Sequence, residues 1–179
     1  MRRVAEDEAN PAPAMRPILA PTALVALLLL AGCDTMGVGL PLEPEPGVQA
    51  WGEMLAAVNA VRAEGATCGG ERLAPAEPLI WDSRLEAAAV EHSADMAENA
   101  YFDHRGTDGA DTGERVRRAG YDWWAVGENI ARHQRTVGEV IADWVASPGH
   151  CRQLMDPRFQ ELGAAEANGY WTQVFGVPR

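Results

Sequence analysis

A carboxylate directly after an aromatic, β-prone run constrains this chain more than any other feature. Tyr121-Asp122-Trp123-Trp124-Ala125-Val126 suits a strand entering a packed interior, and Gly127-Glu128-Asn129-Ile130 follows as an expected turn. An acid placed there cannot stand alone, because an unpaired buried charge is costly. Its expected partner is a metal, a histidine or a backbone donor. The histidines nearest in kind are His104, in Tyr101-Phe102-Asp103-His104, and His150, in Ser147-Pro148-Gly149-His150. We expect these three residues to converge in one cleft.

The N-terminus gives the address. Ile18 to Ala31 is apolar except for Pro21 and Thr22, and ends in Leu30-Ala31-Gly32-Cys33. That run is short for a membrane span but suits a signal-peptide core. Leu-Ala-Gly-Cys resembles the lipobox of bacterial lipoproteins, which predicts a leader over residues 1–33 and a lipid on Cys33. Glu6, Asp7 and Glu8 are unusual ahead of such a core, and Met15 is an alternative start. Asp34 after the cysteine resembles an inner-membrane retention signal. Residues 34–48, rich in glycine, proline and glutamate, read as a flexible tether, and 49–179 as the folded domain. The predicted location is the periplasmic side of a bacterial envelope, with the membrane engaged through the anchor.

An exported chain meets an oxidising compartment. With Cys33 assigned to lipid, Cys68 and Cys151 remain as an even pair, and a disulfide is predicted between them. Closing so long a loop stabilises by roughly 4 kcal/mol in the chain-entropy picture. The formal net charge of -11, with arginine as the sole basic type, disfavours phosphate backbones and excludes a nucleic-acid partner.

Periodicity supplies the elements. Leu55, Ala57, Val58, Val61 and Arg62 recur at helical spacing until Gly65, and a loop carrying Cys68 follows from Ala66 to Pro78. Ser83 and Glu86 match a capping box opening a helix to about Asn99, on which Leu85, Ala89, His92 and Met96 share a face. His92 reads there first as a satisfied core histidine. Asp111 with Glu114 opens a short helix closed by Gly120. Thr136 with Glu139 opens another, so Glu139 is accounted for by its cap. His150 to Met155 adds a further helical turn. Asn168-Gly169 between two strand-like runs signals a hairpin. Helices interleaved with a few strands predict an α/β fold, a small sheet with helices on both sides.

These motifs, in this order, resemble those of the CAP superfamily, which groups cysteine-rich secretory proteins, antigen 5 and pathogenesis-related proteins around an SCP domain. The matching stretches are His92-Ser93-Ala94-Asp95-Met96-Ala97, Phe102-Asp103-His104, Gly127-Glu128-Asn129-Ile130, Trp144 with Ser147-Pro148-Gly149-His150, and Tyr170 to Phe175. The likeness is greatest to the bacterial, extracytoplasmic branch and runs from about Gln49 to the C-terminus. It implies a three-layer α-β-α sandwich and a cleft of two histidines and two glutamates that holds a divalent metal in some members. His104 and Glu128 match two of those positions. Tyr170 stands where the second histidine is usual and Ser147 where the second glutamate is usual. His150 resembles the branch's replacement ligand.

His104, Glu128 and His150 would suit zinc with one open position, or equally a metal-free hydrogen-bonded cluster. The resemblance implies a module binding a small hydrophobic or envelope-derived ligand. The alternative is a metal-dependent hydrolase, a peptidase or esterase, in the same cleft; a third is an envelope interaction protein with a vestigial cleft. No His-Glu-x-x-His helix or Gly-x-Ser-x-Gly elbow supports hydrolysis. Ser83 reads as a cap and Ser93 as mid-helix. Ser147 beside Pro148 reads first as a helix-end cap, and with His150 also as a nucleophile and base.

Overall fold

The computed structural model describes residues 46–179, with side chains from Trp51 onward; the expected leader, lipidated Cys33 and most of the tether lie outside the described residues. Helix α1 (Pro46–Glu64) starts upstream of Gln49, with proline at a first-turn position that needs no backbone donor. Gly65, at φ +71°, ends it, and a side chain there would meet the Leu73 carbonyl. The segment expected as a loop holds a hairpin, β1 (Ala66–Cys68) and β2 (Glu71–Leu73). Gly69 and Gly70, at φ +62° and +91°, supply the turn.

Strand β3 (Ile80–Trp81) leads into α2 (Ser83–Asn99). The N-cap of α2 is Asp82, which accepts from the Arg84 and Leu85 amides. Ser83 is already helical, and Glu86 accepts from Trp81 Nε1 instead of closing the expected box. The box predicted for α3 (Thr112–Arg118) is present in full between Asp111 and Glu114. Thr136 caps α4 (Val137–Ala146), while Glu139 accepts from the Arg135 amide.

The largest departure from expectation is β4 (Trp123–Arg132), which passes straight through Gly127–Ile130 where the local signal predicts a turn. Its pairing with β6 (Tyr170–Pro178) continues unbroken from Ala125 to Arg132, and that ladder outweighs the local turn signal of one glycine. Gly127 serves closeness here: a Cβ would lie 2.6 Å from the Gln153 amide oxygen and 2.8 Å from the Phe159 ring. Between α4 and β6 lie α5 (Pro148–Leu154) and β5 (Glu161–Ala167). The hairpin at Asn168-Gly169 forms as predicted, both residues at positive φ.

The sheet order is β3-β5-β6-β4, with β3 parallel to β5 and the other pairs antiparallel. Alternation along β5 and β6 divides the interior. Leu162, Ala164, Trp171 and Phe175 join α1, α4 and α5 in the larger core, with Met54, Val58, Trp144 and Leu154. Ala165 and Val174 face α2 and α3, with Leu85, Ala89 and Val116. This is the three-layer α-β-α sandwich. Cys68 and Cys151 are bonded, Cα atoms 5.5 Å apart, tying the β1–β2 hairpin to α5. Among the described residues no helix is long and apolar enough to cross a membrane.

Candidate functional site

Strand β4 is the sheet's edge, and its Gly-Glu-Asn segment sends two polar side chains to opposite faces. Glu128 pairs across from Val174 and shares its side, toward α2 and α3. Asn129 pairs across from Gln173 and faces the other layer. There Asn129 Nδ2 donates to Gln173 Oε1 at 3.1 Å and to the His150 carbonyl at 3.3 Å. Gln153 donates to the Glu128 carbonyl and to Asn129 Oδ1. One strand therefore positions the acid and, through an amide network, the start of the helix that carries His150.

The Glu128 carboxylate is only 3% exposed and both oxygens are engaged. His104 Nδ1 donates to Oε1 at 2.8 Å, and Arg115 Nη2 donates to Oε2 at 2.7 Å. Burial alone would raise the Glu128 pKa, but the His104 hydrogen bond and the Arg115 charge together hold it below the ordinary value. The same carboxylate raises His104 by accepting its hydrogen bond. Arg115 also donates to the His104 and Ala110 carbonyls, fixing the loop between α2 and α3. That loop is held again by Asp95, which accepts from Tyr101 and Thr107. Burial would raise Asp95, yet these hydrogen bonds with that of Asn99 bring it down to about 2.

His92 is fully buried, as its place on the apolar stripe predicts. Its Nε2 donates to the Asp103 carbonyl at 2.9 Å and lies 3.8 Å from Glu128 Oε1. That bond assigns the proton to Nε2 and leaves Nδ1 buried without a partner. Burial lowers the His92 pKa. The ring is thus a neutral neighbour of the acid.

His104 is the exposed member, its side chain 54% accessible. With Nδ1 committed to Glu128, Nε2 is the nitrogen left for an incoming molecule. His150 stands on α5, in the opposite layer. Its pKa is lowered by burial and then by the charge of His104. A groove of about 340 Å³ is walled by Phe102, Ile130, Trp144, Ser147 and His150. Ser147 closes α4 as the expected helix-end cap, its backbone N–H donating to the Asp143 and Trp144 carbonyls, and its side chain makes no capping hydrogen bond to α5. Tyr170 begins β6, paired across from Arg132, and does not line this groove.

The structure brings His104 onto Glu128 directly; His150 lies in the opposite layer and lines the groove. It also adds two residues to the predicted set: His92, read first as core and only second as a ligand, and Arg115, which the sequence does not single out. The expectation that Glu128 needs a metal, histidine or backbone donor leaves out the guanidinium, the planar fork that best matches a buried carboxylate. A signal does exist: every base in the chain is arginine, and Arg115 adjoins the inward Val116 on a capped helix.

Zinc does not fit the donors as they are arranged. Arg115 already supplies Glu128 with the countercharge an ion would bring, and His104 offers one nitrogen. Among the described residues no three His, Cys, Asp or Glu side chains group to hold a metal ion. What forms is the hydrogen-bonded histidine–carboxylate cluster, with arginine included.

Residues 55–175 match the CAP cysteine-rich secretory protein family, and the chain belongs to it. YkwD of Bacillus subtilis is 34% identical over 101 residues, covering 55% of this chain and 39% of that protein. The membrane protein YlbC of the same organism is 32% identical over 97 residues, covering 54% and 28%. The chain thus spans about two fifths or less of the length of these relatives. An extracellular SCP-domain protein from Bacillus anthracis superposes with a TM-score of 0.65 at 26% identity, over 72% of this chain and 40% of that one. An outer surface protein from Borrelia burgdorferi gives 0.59 at 17% identity, over 72% and 92%, a likeness of fold alone.

Proposed function

We propose that the groove lined by His150 binds a small ligand at the cell envelope, with an apolar body against Phe102, Ile130 and Trp144 and a polar end at His150 and Ser147. The observation that carries this reading is the engagement of both Glu128 oxygens by His104 and Arg115. A carboxylate so occupied orients an imidazole; it is not a free base for activating water. An apolar groove with a few convergent polar groups is the usual form of a small-molecule site. The chain would reach the envelope through its leader and a lipid on Cys33, in keeping with relatives named as extracellular and membrane proteins.

The experiment extracts the full chain from membranes with detergent and analyses solvent extracts by mass spectrometry, beside zinc content by elemental analysis. A co-purifying small molecule is expected in the wild type and lost in His150→Ala. Stoichiometric zinc that disappears in Glu128→Gln would overturn the reading in favour of the metal hydrolase. Recovery of the mature chain in the soluble fraction would remove the anchor.

A further inference from the structure

At the opposite sheet edge from β4, a second groove of about 350 Å³ lies between the first turns of α1 and the β3–α2 junction. Trp51, Gly52, Leu55, Trp81 and Glu86 line it. The two indoles are stacked, centroids 5.9 Å apart and planes 22° from parallel. Among the described residues Glu86 is the sole ionisable one of the lining. One of its oxygens accepts from Trp81 Nε1 at 2.9 Å; the other makes no hydrogen bond among the described residues.

We propose that this groove binds a small quaternary ammonium cation of the choline class. The electron-rich face of an indole attracts cations more strongly than other aromatic rings, and methylated ammonium groups suit it because they carry no N–H bonds that need acceptors. Here the attraction is reinforced. A hydrogen bond from the indole N–H to a carboxylate shifts electron density into the Trp81 ring, and the same carboxylate places a negative charge in the groove. A primary ammonium would lose hydration that one carboxylate oxygen cannot replace. A neutral apolar ligand would bury Glu86 with no charge opposite it. A phosphocholine group fits less well than choline, since among the described residues no cationic side chain lines the groove: Arg84, close in sequence, is held by Asp82 at 2.6 Å. The net charge of -11 favours approach of a cation from any direction.

The full chain in detergent is titrated with choline chloride at constant ionic strength, following the indole N–H resonances by NMR and heat by calorimetry. Saturable shifts confined to Trp51 and Trp81 are expected. The neutral carbon isostere of choline should bind about tenfold more weakly, and phosphocholine more weakly than choline. Glu86→Gln should also weaken choline about tenfold, as should Trp51→Leu, a change at the helix surface that keeps the carboxylate. Equal binding of choline and its isostere would show a merely apolar groove and overturn the proposal. So would the absence of saturable shifts, or tighter binding of phosphocholine.

Discussion

The two faces of the sheet are built on different physics. The face under α1, α4 and α5 holds the larger apolar core: Trp144 is buried with one hydrogen bond to the Ile130 carbonyl, Phe159 and Phe175 stack at 5.2 Å, and the disulfide is buried among them. Its buried charge, Arg62, is satisfied by the backbone carbonyls of Leu154, Asp156 and Phe159, and its buried amides, Asn129 and Gln173, by each other. The face under α2 and α3 has a smaller apolar cluster and gives much of its interior to polar groups. Glu128, Arg115 and His92 are buried there, as is the Ser93 hydroxyl on Thr172. Buried ion pairs contribute little net stability, because desolvation offsets most of their attraction. The comparison teaches that a buried charge satisfied by backbone carbonyls ties elements together, whereas one shared among side chains can hold an exposed imidazole in place.

Removing Arg115 tests this most severely. Arg115→Leu should destabilise by about 3 kcal/mol, the low end for a broken buried pair, because it leaves the buried Glu128 with only the half-exposed His104 opposite it. Arg115→Leu with Glu128→Leu should recover most of that loss. Urea unfolding of both variants is the measurement. A double variant as unstable as the single would mean that the pair itself, and not its imbalance, holds this layer together.

The layer of α1, α4 and α5 has its own weak point. Cys68→Ala with Cys151→Ala should cost about 2–4 kcal/mol, through the freedom returned to the unfolded chain. The loss should appear in thermal melting while the His104–Glu128 hydrogen bond persists, since the bridge lies in the other layer. Loss of the His104 resonance signature in this variant would show that the two faces are not independent.

How much of this is legible in the sequence follows from which contacts are local. Caps at Asp111 and Thr136, the Asn168-Gly169 turn and the buried stripe of α2 are written in residues within a few positions of each other. The cysteine pairing is legible because compartment and parity leave one pairing. Gly127–Ile130 reads as a turn because its strand character comes from β6, more than forty residues away. Arg115 escapes the sequence reading for a related reason. Its inward position is decided by packing of α3 against β4, and arginine is usually a surface residue. His150 is found by resemblance, but its place in the opposite layer requires the fold.

The finest test concerns whether the two imidazoles sense each other around the edge of β4. The ordinary histidine value is 6.5. His104 should titrate above it, because Glu128 accepts its hydrogen bond; His92 and His150 should titrate below it, because burial disfavours their charged forms. The stability signs are opposite. His104 stabilises the fold fully below 6.5 and loses that contribution as pH rises through its own raised value. His92, buried neutral, contributes nothing adverse above 6.5 and destabilises as pH falls below it. Two substitutions separate the causes in an NMR titration of ring protons. Glu128→Gln removes the dominant cause at His104, whose value should fall. His104→Gln removes the smaller of two causes at His150, whose value should rise toward 6.5 yet stay below it, since its burial is unchanged. A His150 titration indifferent to His104 would mean that the rings do not sense each other, and the groove that His150 lines would then be separate from the Glu128 cluster.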